Sequence, residues 1–175
     1  MSSTFPGKKS RAGEQGADSV RKASNPNQVS ALETHLGYWL RVVSNHVSHG
    51  FKAKLEQQGV TVAEWVVLRA LLEKDELKPS ELALKLGLTR GAISKLIDCL
   101  LAKNLVSVRS DARDGRAQVI ILRASARRLV PKLAALADEN DAQAFGHLDQ
   151  QQQAFLLATL RGIVDRLGIR GAPID

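Results

Sequence analysis

From Ala31 to Gln58 apolar residues recur at three-and-four spacing: Leu32, Leu36, Trp39, Leu40, Val43, Val47, Phe51 and Leu55 fall on one stripe. The stripe predicts one long helix, which Gly59 ends. Thr61 stands three residues before Glu64, the spacing of a capping box, and opens a second helix over about Val62–Glu73. The polar run Glu73-Lys74-Asp75-Glu76 closes that helix. Pro79 occupies a first helical position, with Glu81 near the positive end of the helix dipole, and Leu82, Ala83 and Leu86 make an apolar stripe that stops at Gly87. Thr89 is a competent N-cap for the next helix, to about Lys103, with Ile93, Leu96, Ile97, Leu100 and Leu101 facing inward. Two helices joined by so short a Gly-containing turn predict a helix-turn-helix.

Leu105–Arg109 and Ala117–Leu122 are rich in β-branched residues and flank a charged, turn-forming loop, so they predict a hairpin. Helical spacing resumes from about Ala124 to His147. Asp149 and Gln152 repeat the capping-box spacing before a last helix that carries Phe155, Leu156, Leu160, Ile163, Val164 and Leu167. The predicted order is ααααββαα, a mainly α chain with a small β wing and no internal repeat. Residues 1–29 are Ser, Gly, Lys and Asn rich, contain Pro6 and Pro26, and lack any apolar period, which predicts a disordered basic arm.

Charge changes this picture because of where it sits. The chain carries a formal +7, and residues 77–123 hold nine Lys and Arg against four Asp and Glu, whereas the segments on either side are nearly neutral. Basic surface on one ordered segment is the footprint of an element that binds a polyanion; an acidic protein partner would require the same. On the helix after Thr89, a wheel of 100° per residue leaves Gly91, Lys95 and Asp98 opposite the apolar stripe, with Arg90 and Ser94 on its flank. Thr89, Arg90, Gly91, Ser94 and Lys95 are therefore candidate DNA contacts: Arg and Lys pair with guanine, a hydroxyl with base or phosphate, and glycine lets a backbone approach closely. Asp98 opposes this role and is expected beside Lys95 or Arg90, or beyond the contacted region. An ordinary amphipathic helix with a solvated face has the same spacing. The hairpin tip tilts the balance, because Arg113 and Arg116 beside Asp111 and Asp114 add little to stability as exposed ion pairs, worth on the order of 0–1 kcal/mol. An arginine there can enter a narrow minor groove, held extended by a neighbouring aspartate.

Three runs carry a family resemblance: Thr89-Arg90-Gly91-Ala92-Ile93-Ser94-Lys95-Leu96, Leu100-Leu101-Ala102-Lys103-Asn104-Leu105-Val106 and Asp111-Ala112-Arg113-Asp114-Gly115-Arg116. With Val60–Leu68 upstream, they resemble the MarR family of bacterial transcription regulators over roughly residues 31–168. The resemblance implies a homodimeric winged helix-turn-helix protein that binds a pseudo-palindromic operator, usually represses, and is often released by a small, frequently aromatic and anionic ligand. It places Arg90, Ser94 and Lys95 on the recognition helix, and Asp114 and Arg116 on the wing. The chain then divides into the arm (1–29), an N-terminal dimerisation helix (30–59), a DNA-binding domain (60–123) and C-terminal dimerisation helices (124–170). Three residues depart from the family pattern: Lys78 and Arg123 replace threonines and Ala126 a glycine, which puts the capping at 78 and 124 in doubt. Arg123 can serve as a phosphate contact, a partner for a ligand carboxylate, or a solvated arginine.

The terminal helices show more apolar surface than a small winged module covers, and a second copy would bury it; a single chain folding those helices on itself is the alternative. For an effector, the resemblance points to the first two helices. Tyr38, Trp39, His46, Trp65 and Arg69, with Arg123, are the candidates for a pocket that suits an aromatic carboxylate. Trp39 and Trp65 also fit the apolar stripe as core residues. His46 and His49 have helical spacing for a metal but no third ligand nearby. Cys99 is alone, which excludes an intrachain disulfide and a multi-cysteine zinc module; partial burial suits it better than a redox role. No metal or cofactor is expected, and no nucleophile–base pair, phosphate-binding glycine loop or carboxylate constellation supports an enzyme. No run approaches the roughly 18 apolar residues of a membrane span, and residues 1–27 lack the apolar core of a signal peptide, so a cytoplasmic location is expected. The alternatives to a ligand-released DNA-binding repressor are a winged-helix module for an acidic protein partner and a redox- or metal-responsive regulator.

Overall fold

The structure, a computed structural model, describes residues 29–111, 117–169 and 171. Residues 29–39 hold a 3-10 turn, Leu32–Thr34, and the start of helix α1, Leu36–Glu56. The single helix expected from Ala31 is thus broken at His35, which is extended. Trp39 donates its indole N–H to the Glu33 carbonyl at 2.8 Å and meets Tyr38 edge-to-face at 5.2 Å.

From Leu40 onward the helices are the rest of α1, α2 (Val62–Lys74), α3 (Pro79–Leu86), α4 (Arg90–Ala102), α5 (Ala124–Phe145) and α6 (Gln150–Leu167). Strands β1 (Glu76–Leu77), β2 (Val106–Ser110) and β3 (Gln118–Leu122) form an antiparallel sheet in the order β1-β3-β2. Strand β1 corrects the expected two-stranded hairpin. Two residues are too few to show alternation, yet Glu76 and Leu77 pair with Ile121 and Ile120 and cover the second edge of β3. On the other edge the register runs from Val106 opposite Leu122 to Ser110 opposite Gln118.

The local signals act as expected. Thr61 Oγ1 accepts from the Glu64 N–H at 3.2 Å, and the Glu64 carboxylate accepts from the Thr61 N–H at 2.8 Å. Asp149 and Gln152 exchange the same two bonds at 2.8 and 2.9 Å. Gly59 and Gly87 both adopt φ +68, the left-handed conformation that lets Gly87 stop α3 directly and Gly59 close the turn that follows α1. At Lys78 the capping is one-sided: its N–H donates to Glu81 at 2.7 Å, but an ammonium has no lone pair to return the bond. Pro131 lies inside α5, where it removes one backbone hydrogen bond without ending the helix.

The core gathers around α2, whose Val67, Leu68 and Leu71 are fully buried and which touches α3, α4, α5 and β3. Leu82 from α3, Ile93 and Leu100 from α4, Ile120 from β3 and Val130 and Leu133 from α5 complete it. Leu101, expected to face inward, lies at the edge of the α4 stripe and is 37% exposed. Only Leu55 of α1 and no residue of α6 is buried. Trp39 at 51% exposure is therefore not a core residue of this chain, and Leu40, Val43, Leu156, Leu160, Ile163 and Val164 are all at least 36% exposed. An apolar period shows which face of a helix is dry but not what dries it.

Candidate nucleic-acid interface

Helix α4 is held from behind by Ile93, Ile97 and Leu100, all buried, so its opposite face is turned outward. Thr89 caps it, its hydroxyl accepting from the Ala92 N–H at 3.1 Å. Thr89, Arg90, Gly91, Ser94 and Lys95 are all exposed, and they lie in the N-terminal half of the helix. Ser94 turns its hydroxyl back to the Arg90 carbonyl at 3.1 Å. A Cβ built on Gly91 would meet no described atom within 4 Å, so packing within the chain does not require glycine there.

The remaining described cations of the basic segment are engaged. Lys78 Nζ lies 2.8 Å from Asp111, Lys85 2.7 Å from Glu73, and Lys103 2.7 Å from Glu64. Arg109 pairs with Glu76, and Arg123 donates from Nε to the Val106 carbonyl at 3.1 Å. Among the described residues, Arg90 and Lys95 alone of the segment's cations have neither an ion pair nor a side-chain hydrogen bond. Asp98 does not pair with either of them; it is exposed one turn further along the helix.

The wing begins where Asp111 donates its N–H to the Ala117 carbonyl at 2.8 Å. Its carboxylate, only 10% exposed, ties the base of the wing to Lys78 at the start of α3. Lys78, read from the sequence only as a departure from a capping residue, is thus a structural link. Arg113, Asp114 and Arg116 lie outside the described residues.

Of the effector candidates from Leu40 onward, Trp65, Arg69 and Arg123 are each engaged in contacts within the fold. Trp65 is half-buried, edge-to-face with Phe51 at 6.3 Å and packed on the core, so it plays the structural role its spacing also allowed. Arg69 lies 3.6 Å from Glu73 on the surface. Lys85, by its hydrogen bond and its charge, and then Arg69 hold the Glu73 carboxyl below the usual carboxylate range. That contribution to stability is present above the ordinary carboxylate value, is lost as pH falls through the lowered one, and is small because the pair is half exposed. Arg123 is committed to the Val106 carbonyl. His46 does line a cavity of about 340 Å³, with Val47, His49, Gly50, Asn140, Gln143 and Ala144. Cys99, expected to be partly buried, is exposed on α4.

Gly50 and Asn140 gave no sequence signal, since they lie 90 residues apart and neither belongs to a motif. Asn140 is 7% exposed and donates from Nδ2 to the Val47 carbonyl at 3.1 Å, with its Oδ1 only 2.8 Å from where a Cβ on Gly50 would stand. Gly50→Ala is expected to displace that amide and destabilise the fold by about 1–3 kcal/mol, the cost of an unsatisfied buried group. Urea denaturation of the two proteins checks it.

Residues 58–117 match the model of the MarR family. No curated protein matches the chain. Among solved structures, Bordetella bronchiseptica BpsR, whose DNA binding is regulated by 6-hydroxynicotinic acid, superposes with a TM-score of 0.68 at 22% identity, over 79% of this chain and 99% of that one. CouR from Rhodococcus jostii RHA1, bound to p-coumaroyl-CoA, gives 0.67 at 26% identity over 77% and 95%. The C80S mutant of MarR from E. coli, complexed with operator DNA, gives 0.66 at 20% identity over 74% and 93%. The sequence match over residues 58–117 and the fold over most of the described chain agree: the winged segment is similar to the MarR family, and the chain has the winged helix-turn-helix fold of these structures.

Proposed function

We propose that this chain is a homodimeric, sequence-specific DNA-binding repressor, released by a small aromatic anion. The observation that carries the reading is the pair of unengaged cations: every other described cation of the basic segment serves the fold, while Arg90 and Lys95 stand exposed at the end of α4 that a helix-turn-helix presents to the major groove. The α4 N-terminus adds backbone N–H groups without intrahelical partners, which favour phosphate. Arg113 and Arg116 extend the contact into the adjacent minor groove, with Asp114 orienting them. The operator-bound relative has the same fold.

Helix α6 supports the dimer reading. Eighteen residues with no buried side chain form a marginal helix in water, and the stripe Leu156, Leu160, Ile163 and Val164 gives a second copy something to cover. A two-fold pair sets half-sites about one helical turn, roughly 34 Å, apart. The effector class rests on two structural neighbours, one whose DNA binding is regulated by 6-hydroxynicotinic acid and one bound to p-coumaroyl-CoA. A ligand that favours a dimer with misplaced recognition helices lowers operator affinity tenfold for about 1.4 kcal/mol of differential binding.

Mobility-shift titration of the full chain on its own promoter fragment and on shuffled DNA tests the reading. Saturable binding to the first alone is expected, and affinity should fall steeply with salt. Arg116→Ala should weaken binding by about 1–3 kcal/mol without changing the melting curve. Equal binding to both fragments, or no salt dependence, sinks the reading and leaves the basic face to an acidic protein partner.

A further inference from the structure

Lys103 stands where α4 ends, yet its side chain is not part of the outward face. Its ammonium donates to the Gly59 carbonyl at 2.8 Å and to the Glu64 carboxylate at 2.7 Å. The Glu64 side chain is 3% exposed, and the same carboxylate accepts from the Thr61 N–H. One ammonium therefore joins three segments: the turn that follows α1, the cap that opens α2, and the residue that caps the end of the recognition helix.

The buried side chains of α4, Ile93, Ile97 and Leu100, are apolar, and apolar contacts have no direction. They hold the helix down but set its angle less sharply than directional bonds do. Charge-assisted hydrogen bonds to two fixed acceptors supply the missing direction. The lever is long, because at 1.5 Å per residue Arg90 lies about 20 Å from Lys103, so a pivot of about 5° moves it by about 1.7 Å. Such a shift is enough to spoil pairing with a base edge.

We propose that Lys103 is a positioning residue: it fixes the angle of α4 against the end of α1, and any movement of α1 reaches Arg90 and Lys95 through it. This rests on the DNA-binding reading above. It assigns Lys103, though basic and next to the interface, no contact with DNA.

The test uses the full-length chain in four forms: wild type, Lys103→Arg, Lys103→Met, and Lys103→Met combined with Glu64→Gln. The double variant removes the buried charge that the single one would strand, and its glutamine can still accept from Thr61, so it keeps the test open if Lys103→Met fails to fold. Fluorescence anisotropy with the promoter fragment and with shuffled duplex, at several salt concentrations, gives the ratio of specific to non-specific affinity. The expected result is a folded double variant whose ratio falls about tenfold, with an unchanged slope of affinity against salt because no phosphate contact is lost. Lys103→Arg should restore most of the ratio. An unchanged ratio in the double variant overturns the proposal and leaves Lys103 a stabilising residue only. A salt slope lowered by about 0.9 overturns it differently, by showing a phosphate contact. If wild type itself does not distinguish the two duplexes, the DNA-binding reading fails and the proposal with it.

Discussion

A chain carrying Leu160→Asp and Ile163→Asp is expected to sediment as a monomer and to lose operator affinity by a hundredfold or more, with its winged module still folded. The two residues are 37% and 44% exposed on a helix that buries nothing in its own chain, so the substitutions add charge without opening the core around α2. In a dimer the same positions would be covered, and each apolar side chain taken fully out of water contributes about 1.5–3 kcal/mol. Two carboxylates there end the association. The effect on DNA is larger than any single contact could give, because joining two recognition helices makes the second half-site's binding intramolecular, a gain of about 10²–10⁴. Sedimentation velocity and a mobility shift on the same preparation check both halves. A double variant that still sediments as a dimer and binds the operator like wild type removes α6 from the interface.

The second large effect is on folding. Lys103→Met alone is expected to lower stability by about 3 kcal/mol, the low end for breaking a buried ion pair, chosen because Lys103 is 38% exposed while Glu64 is 3%. For a chain of this size that moves the melting midpoint down by about 6–12 °C. Adding Glu64→Gln should recover most of it, because the cost lies in the carboxylate left without its cation rather than in the lost attraction. Calorimetry on the two variants decides; a double variant no more stable than Lys103→Met would mean that Lys103 stabilises by packing alone.

The parts of this molecule that could be read from the sequence are those fixed by residues three or four apart. Thr61 with Glu64, Asp149 with Gln152, Thr89 as a cap, Pro79 at a first turn and Gly87 at a last one each act within one helical turn, and each stands where the spacing put it. What stayed hidden depends on distant partners. Strand β1 exists because β3 has an edge to fill, Lys103 reaches 39 residues back to Glu64, and Asn140 reaches 93 back to Val47. The outward face of α4 was legible because the apolar stripe fixes its opposite. The effector candidates were not, since an aromatic at helical spacing reads the same whether it packs on a core, as Trp65 does, or stands exposed like Trp39.

The empty surroundings of Gly91 separate two kinds of demand on one residue. In a helix, glycine costs up to about 1 kcal/mol relative to alanine, and nothing described within 4 Å would object to the extra carbon. Conformational self-interest favours replacing it. A saturation library at this codon, sorted first for soluble yield and then for promoter silencing, should therefore rank its members in nearly opposite orders, with the tolerant ranking reporting on the chain and the strict one on the molecule that it meets.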